Sequence, residues 1–466
     1  FIKENQQNMK QIILLILIVL LVTTSCKKEK HVSNTTALEV YSDSLFQASI
    51  DSAQIAGGAI LVFQKDKMLL NKSYGYASLE LSTPMPSDGI FEIGSVTKQF
   101  TAAAILKLVE DKKLSLTDDF TKYLEFDTKG RKITIAQLLD HTSGLAQAPT
   151  GKDEFTQMTF DEFPHRLTVG LVEPKDFLHE PGEALIYNNV AFVFLGLIIE
   201  NVTGKTYEDY LKEVFFEPLN MKSTFFTSNT KVTKNKVYGY NYNPDGLQQK
   251  NYLNSYIPYS AGSLSSSAED LLIWTKALHS GKVLSEPMYQ SMITPLQLND
   301  GSPVSYAKGV ANFSNYGHKE ISHGGAIAGF SSFVQYYPDD DLYIITLVNT
   351  IGPKKTGRFF GYEITWKLLD KKEYEQATLD IDINAIKGLY SGQTRGGKDS
   401  DGKQAIEIKS IENGITRQVM GEEKIDTLSV YVGNNTWMDG NDKIIIENNE
   451  YRIDNIYNYY ILKMEK

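Results

Sequence analysis

The stretch Ile90-Phe91-Glu92-Ile93-Gly94-Ser95-Val96-Thr97-Lys98-Gln99-Phe100 decides how this chain is read. An apolar, strand-like lead-in ends at a glycine, and a hydroxyl and an amine then stand three residues apart. Positions i and i+3 share one face of a helix, so Lys98 can reach the Ser95 oxygen. A neutral amine in a dry pocket can take the serine proton, which gives a nucleophile without histidine. Ser-x-x-Lys occurs five times, beginning at Ser25, Ser95, Ser228, Ser305 and Ser400. Only Ser95 opens a helical pattern, through Phe100, Ala103, Ala104, Leu106 and Leu108 to a polar stop at Asp111-Lys112-Lys113.

Composition narrows the function classes. A chain of 466 residues with 42% apolar content can bury large cores and suggests two or three domains. A formal charge of −10, with no basic block interleaved with aromatics, argues against a nucleic-acid partner. Seven histidines without an HExxH-type pair, and a single cysteine, predict a metal-free enzyme with no cofactor.

Residues 1–26 read as an export signal. Met9-Lys10 opens a plausible reading frame, and Ile12 to Val22 are uninterrupted apolar residues, too few to span a bilayer. Val22-Thr23-Thr24-Ser25-Cys26 resembles the cleavage site of bacterial lipoproteins, with Thr23 where that pattern prefers leucine. Cys26 is therefore the expected lipidation site, residues 27–36 a solvated tether, and the location periplasmic or cell-envelope, with the membrane reached through the lipid anchor only.

Residues 37–372 read as one composite domain of α+β class. Strand hairpins are expected at Gly57 to Tyr76 and Gly329 to Asn349, with helical spacing at 37–55, a mainly helical region from Ser95 to about 300, and a closing amphipathic helix from Gly357 to Leu369. Strands at both ends with helices between them imply an antiparallel sheet built from both termini, flanked by helices. Residues 380–466 alternate in short runs (405–408, 425–432, 443–446, 451–456, 459–462) and predict a small all-β domain, whose removal near residue 378 is expected to leave the first domain folded. Its tyrosines Tyr457, Tyr459 and Tyr460 read as core and strand pairing.

A serine–lysine centre needs a second proton relay, an oxyanion hole and groups that hold substrate. Tyr187-Asn188-Asn189 follows the turn Pro181-Gly182-Glu183 and precedes the apolar run Val190 to Ile199. A phenol beside an ammonium can relay the leaving-group proton, and the Asn189 amide can bind a substrate carbonyl and the lysine together. His323-Gly324-Gly325-Ala326 comes third, its glycines allowing backbone to approach closely and donate to an oxyanion.

Ser-x-x-Lys, Tyr-x-Asn and His-x-Gly in this order resemble the serine β-lactamase and penicillin-recognising family, nearest its class C branch with DD-peptidases, D-aminopeptidases and esterases. Leu138-Leu139-Asp140-His141-Thr142-Ser143-Gly144-Leu145 and Ala261-Gly262-Ser263-Leu264 are similar to family stretches, and Ser266 with Glu269 is spaced as a capping box. The resemblance covers about residues 40–370. It implies Ser95 as nucleophile forming an acyl-enzyme, Lys98 with Tyr187 as base, and Tyr187 as donor to the leaving group. It further implies an oxyanion hole at the N–H groups of Ser95 and Ala326, with Asn189, His323 and the Gly325 strand binding substrate. His141 reads as a structural loop residue. Histidine at 323, where class C β-lactamases carry lysine, points to a peptidase or esterase acting on small-molecule, peptide or ester substrates, with peptidoglycan-derived ones among the candidates. The alternatives are a class C-like β-lactamase, or a non-catalytic envelope binding protein. The lack of a Gly-x-Ser-x-Gly elbow argues against an α/β-hydrolase.

Overall fold

The computed structural model describes residues 34–146, 177–352, 354–394, 403–411, 414–428, 430–440, 442–455 and 457–465. Cys26 and the export signal lie outside the described residues. Helix α1 (Asn34–Asp51) already begins within the expected tether.

The central sheet comes from both ends of the first domain. Strands β1 (Gly57–Gln64), β2 (Lys67–Ser78) and β3 (Thr83–Pro84) join β4 (Ala311–Asn315), β5 (His318–Ile327), β6 (Phe330–Tyr337) and β7 (Leu342–Val348) in the order β4-β5-β6-β7-β1-β2-β3. The pairings along this path are antiparallel, and β1 meets β7 in the register Leu61↔Ile345.

Side chains alternate across a strand, so β1 feeds two cores. Ile60 and Val62 pack with Phe46 of α1 and with Phe360 and Ile364 of the closing helix. Ala59 and Leu61 face the helical region. The chain therefore forms three layers, with the sheet covered on both faces.

In chain order the main helices after α1 are α2 (Thr97–Glu110), α3 (Asn189–Thr203), α4 (Ala268–His279) and α5 (Gly357–Leu368). Helix α2 is buried on nearly every face, as its run of Ala, Leu, Ile and Phe requires. Asn188 caps α3 by accepting from the Ala191 N–H at 3.2 Å, and Gly204 at φ +69° ends it. The cap of α4 is Ser267, which accepts from the Asp270 N–H, one residue beyond the expected Ser266. Ser266 Oγ instead shares a hydrogen bond with Thr224 Oγ1.

The C-terminal region is all β. Strands β8 (Gly388–Gln393), β9 (Lys403–Ile411), β10 (Gly414–Val419), β11 (Ile425–Leu428), β12 (Val430–Gly433), β13 (Thr436–Asp439), β14 (Asp442–Glu447), β15 (Glu450–Asn455) and β16 (Asn458–Met464) form a barrel-like antiparallel sheet in which β8 pairs with β16. Strands β8, β10 and β13 were not expected from sequence. The β14–β15 hairpin turns through Asn448 and Asn449, both at positive φ, the combination a two-residue turn needs.

This sheet is not independent of the first domain. Its β16 pairs with the short strand Leu185–Ile186 in the register Asn458↔Ile186 and Tyr459↔Leu185. Leu185, Tyr187, Leu298, Val304, Tyr306, Ala311 and Tyr459 share one buried core. The two regions therefore share buried surface, and the C-terminal sheet packs directly beside Tyr187.

Candidate active site

Ser95 lies in a single 3-10 turn, Gly94–Val96, that runs directly into α2. In a 3-10 turn residues i and i+3 eclipse one another, which aligns the two side chains more closely than an α-helix does. Lys98 Nζ lies 3.1 Å from Ser95 Oγ. It also donates to Asn189 Oδ1 at 2.8 Å and to the Ala261 carbonyl at 2.7 Å. The lysine is fully buried, so these acceptors replace the water its amine has lost. The turn is fastened on two sides. The Ile93 N–H donates to the Leu264 carbonyl at 2.9 Å, and Ser332 Oγ donates to the Ile93 carbonyl at 2.7 Å.

Tyr187 and Asn189 sit where the short strand Leu185–Ile186 passes into α3. The face of the Tyr187 ring is 4.8 Å from Lys98 Nζ, a cation–π distance. The Asn189 side chain is exposed to the cleft while its oxygen holds the lysine. His141, at φ +59°, lies behind this pair. Its Nδ1 accepts from the Asn188 N–H at 3.1 Å, and its ring packs 4.3 Å from that of Tyr187. His141 is thus a structural residue, as its sequence suggested, and packs directly beneath the Tyr187 ring. Beside it, fully buried Asp140 pairs with buried Lys308 at 3.3 Å. Burial pushes the Asp140 carboxyl up to about 6, against the opposing pull of Lys308.

Strand β5 brings His323, Gly324, Gly325 and Ala326 along the opposite wall. The glycine at 325 answers to the protein's own backbone: a Cβ there would lie 2.0 Å from the Ile93 carbonyl oxygen and 2.3 Å from Ser332 Oγ. Gly94, at φ +52°, packs in turn against Ala326. The nucleophile turn and the proposed oxyanion strand are thus pressed together at two glycines.

His323 is buried and both ring nitrogens are engaged. Nδ1 faces the Gly324 carbonyl at 2.6 Å and Nε2 faces the Tyr306 hydroxyl at 3.0 Å. A carbonyl can only accept, so Nδ1 carries the proton and Nε2 accepts from Tyr306. Burial first, then the charges of Lys98 and Arg358, hold its pKa down to about 3. Neutral His323 lines the cleft wall, with both ring nitrogens engaged by Gly324 and Tyr306.

These groups line one cleft of about 390 Å³ that contains Ser95, Tyr187, Asn189, His323, Gly325 and Ala326. All seven residues expected to form the site, Lys98 beneath the floor included, converge here. The cleft is also lined by Thr356 and Arg358 at the start of α5, not singled out in sequence, and by Tyr457 of the C-terminal sheet, expected only as core and strand pairing. Arg358 sat within a helix read only for its amphipathic spacing. Tyr457 looked like one more tyrosine in a β-rich stretch, in a domain expected to stand apart.

Half-buried Ser95 above fully buried Lys98 at the head of a helix, with Tyr187 and a Gly-rich strand facing them, makes a cleft of the kind that serine hydrolases use. Comparison with known proteins agrees in class: the Beta-lactamase family matches residues 42–359, and the chain belongs to that family. Protein flp of Staphylococcus aureus strain MRSA252 is 30% identical over 315 residues, covering 66% of this chain and 62% of flp. Penicillin-binding protein 4* of Bacillus subtilis strain 168 is 29% identical over 316 residues, covering 63% of this chain and 68% of that protein. Among solved structures, the octameric penicillin-binding protein homologue from Pyrococcus abyssi superposes with a TM-score of 0.64 at 23% identity, covering 91% of this chain and 100% of that one. The D-amino acid amidase from Ochrobactrum anthropi SV3, complexed with D-phenylalanine, gives 0.60 at 21% identity, covering 71% of this chain and 97% of that one. The match thus spans less than two thirds of the length of flp.

Proposed function

We propose that this protein is a serine hydrolase working through an acyl-enzyme on Ser95, with Lys98 and Tyr187 as its proton carriers. The observation that carries this reading is the set of acceptors around Lys98 Nζ. Two of them, Asn189 Oδ1 and the Ala261 carbonyl, can only accept from it. In the form that takes the proton the amine has given up its charge: two N–H groups stay on these oxygens and the lone pair turns toward Ser95 Oγ. Ser95 Oγ then attacks the substrate carbonyl as its proton passes to Lys98. Tyr187 hands a proton to the departing amine or alcohol and takes back the one held by Lys98; water then attacks the ester, its proton passing through Lys98 to Ser95 Oγ as the acid leaves. The N–H groups of Ser95 and Ala326 are assigned to the oxyanion.

A peptidase of DD-peptidase or D-amino acid type, or an esterase, is favoured over a class C-like β-lactamase. Neutral His323 offers no fixed charge, and the structural neighbours include a D-amino acid amidase. Arg358 in the same cleft supplies a cation, which favours an acidic end on the substrate. A fluorophosphonate or fluorescent penicillin should label the wild-type protein and leave Ser95→Ala unlabelled. No labelling, with no turnover of p-nitrophenyl esters, D-amino acid amides or nitrocefin, would favour the non-catalytic reading instead.

We further propose export with lipid attachment at Cys26, supported by the apolar run that ends just before it. Metabolic labelling with a fatty-acid probe should mark the full-length protein and be lost in Cys26→Ala.

A further inference from the structure

One wall of the cleft is not supplied by the hydrolase region. Tyr457, in the turn between β15 and β16, lines the same cleft as Ser95 and Tyr187. Its hydroxyl accepts a hydrogen bond from the Gly324 N–H at 3.0 Å. Strand β4 pairs with β5 only as far as Ala311↔Ser322, so Gly324 and Ala326 lie beyond the end of that ladder. In an extended strand the N–H groups of residues two apart point to the same edge. The edge that bears the Ala326 N–H therefore also bears the Gly324 N–H, and Tyr457 occupies the latter. A peptide laid along this edge as an added strand would need both groups.

The ring is held in place from several sides. The Arg358 guanidinium lies 5.0 Å from its centroid, the Tyr187 ring 5.5 Å away edge-on, and the His323 ring 5.4 Å away. The next residue, Asn458, accepts from the Tyr187 N–H at 3.2 Å and pairs with Ile186. On the acyl-enzyme reading Tyr187 delivers the leaving-group proton, so the leaving group stands on the side that Tyr457 closes.

We propose that Tyr457 is a specificity-determining residue: it stops the free strand edge at Gly324 and limits the leaving group to one amino-acid residue or smaller. The enzyme would then act only at the ends of chains. This inference rests on the acyl-enzyme reading of Ser95.

The test is a ladder of full-length-enzyme substrates with N-acetyl-D-alanine as the common acyl part. Its leaving groups are ammonia, D-alanine, D-alanyl-glycine and D-alanyl-glycyl-glycine. The wild type should lose at least tenfold in kcat/KM between the one-residue and two-residue leaving groups. Tyr457→Ala should narrow that ratio to below threefold; because the ratio is taken within one protein, a general loss of rate does not enter it. A flat wild-type ladder, or an unchanged ratio in Tyr457→Ala, overturns the proposal. Should Tyr457→Ala be insoluble, Tyr457→Leu takes its place and should narrow the ratio in the same direction; an unchanged ratio there overturns it equally. Fluorophosphonate labelling separates the two readings. An unlabelled wild type overturns the acyl-enzyme itself, whereas a labelled wild type with a flat ladder overturns only the role of Tyr457.

Discussion

A buried lysine survives in this fold because its acceptors are fixed before substrate arrives. Ser95, Asn189 and Ala261 come from three different segments, so the amine is oriented by tertiary structure. Replacing Lys98 with alanine removes the base and leaves those acceptors facing a cavity. Acylation should fall by about a thousandfold or more, measured as labelling rate with a fluorophosphonate. His323 makes a different prediction. Its folded pKa of about 3 lies below the ordinary histidine value, so the fold favours the neutral ring. Its contribution to stability is complete above pH 6.5 and is lost as pH falls toward 3. The pH profile of kcat/KM should accordingly show no histidine limb between pH 5 and 8, and a limb that vanished in His323→Asn would contradict the assignment. That Ser95 and Lys98 meet, and that Tyr187 and Asn189 stand together, was legible in sequence because residues two or three positions apart make a local signal. The neutral state of His323 was foreseen, but its partner Tyr306 was not, since nothing local links positions 306 and 323.

At the scale of elements, glycines and a buried ion pair set tolerances that short motifs do not announce. Gly325→Ala places a methyl 2.0 Å from the Ile93 carbonyl, in backbone that cannot step aside cheaply. The change should cost ~2–4 kcal/mol by chemical denaturation and slow acylation as well, because strand β5 and the Ser95 turn must part. Lys308→Met leaves the Asp140 carboxylate buried and uncompensated, at a cost of ~3–5 kcal/mol. Burial raises the Asp140 pKa to about 6, so its protonated form suits the fold; that contribution is full below its ordinary value near 4 and is lost as pH rises through 6. Lys308→Met should therefore be less destabilised at pH 5 than at pH 8, and adding Asp140→Asn should restore most of the loss at pH 8. Both hairpins of the central sheet and helices α2 and α5 could be read from apolar periodicity, within a residue or two of their ends. Polar strands such as Gly414-Ile415-Thr416-Arg417-Gln418-Val419 escaped notice because their partners, and not their own pattern, make them strands.

For the whole molecule, the two regions act as one body. Ending the chain near residue 378 would strip Tyr459 from Leu185 and Tyr306, and remove Asn458 from the Tyr187 N–H. The truncated protein should be insoluble or inactive, the reverse of what sequence alone suggested; a soluble truncation with wild-type labelling would refute this. Asp454 offers a milder probe of the same interface. It accepts from Ser305 Oγ at 3.1 Å, and burial raises its pKa to about 7. That contribution is full below its ordinary value near 4 and is lost as pH rises through 7. Tm should fall between pH 5 and 8, and Asp454→Asn should flatten that slope.

The pairing of Ile186 with Asn458 also has a bearing on time. Tyr187 and Asn458 are 271 residues apart, so a ribosome must add all of that chain before the contact that seats Tyr187 can form. A nascent polypeptide would carry Ser95 and Lys98 long before the wall beside them was built, and the cleft would take its shape only once the strand that begins at Asn458 had emerged.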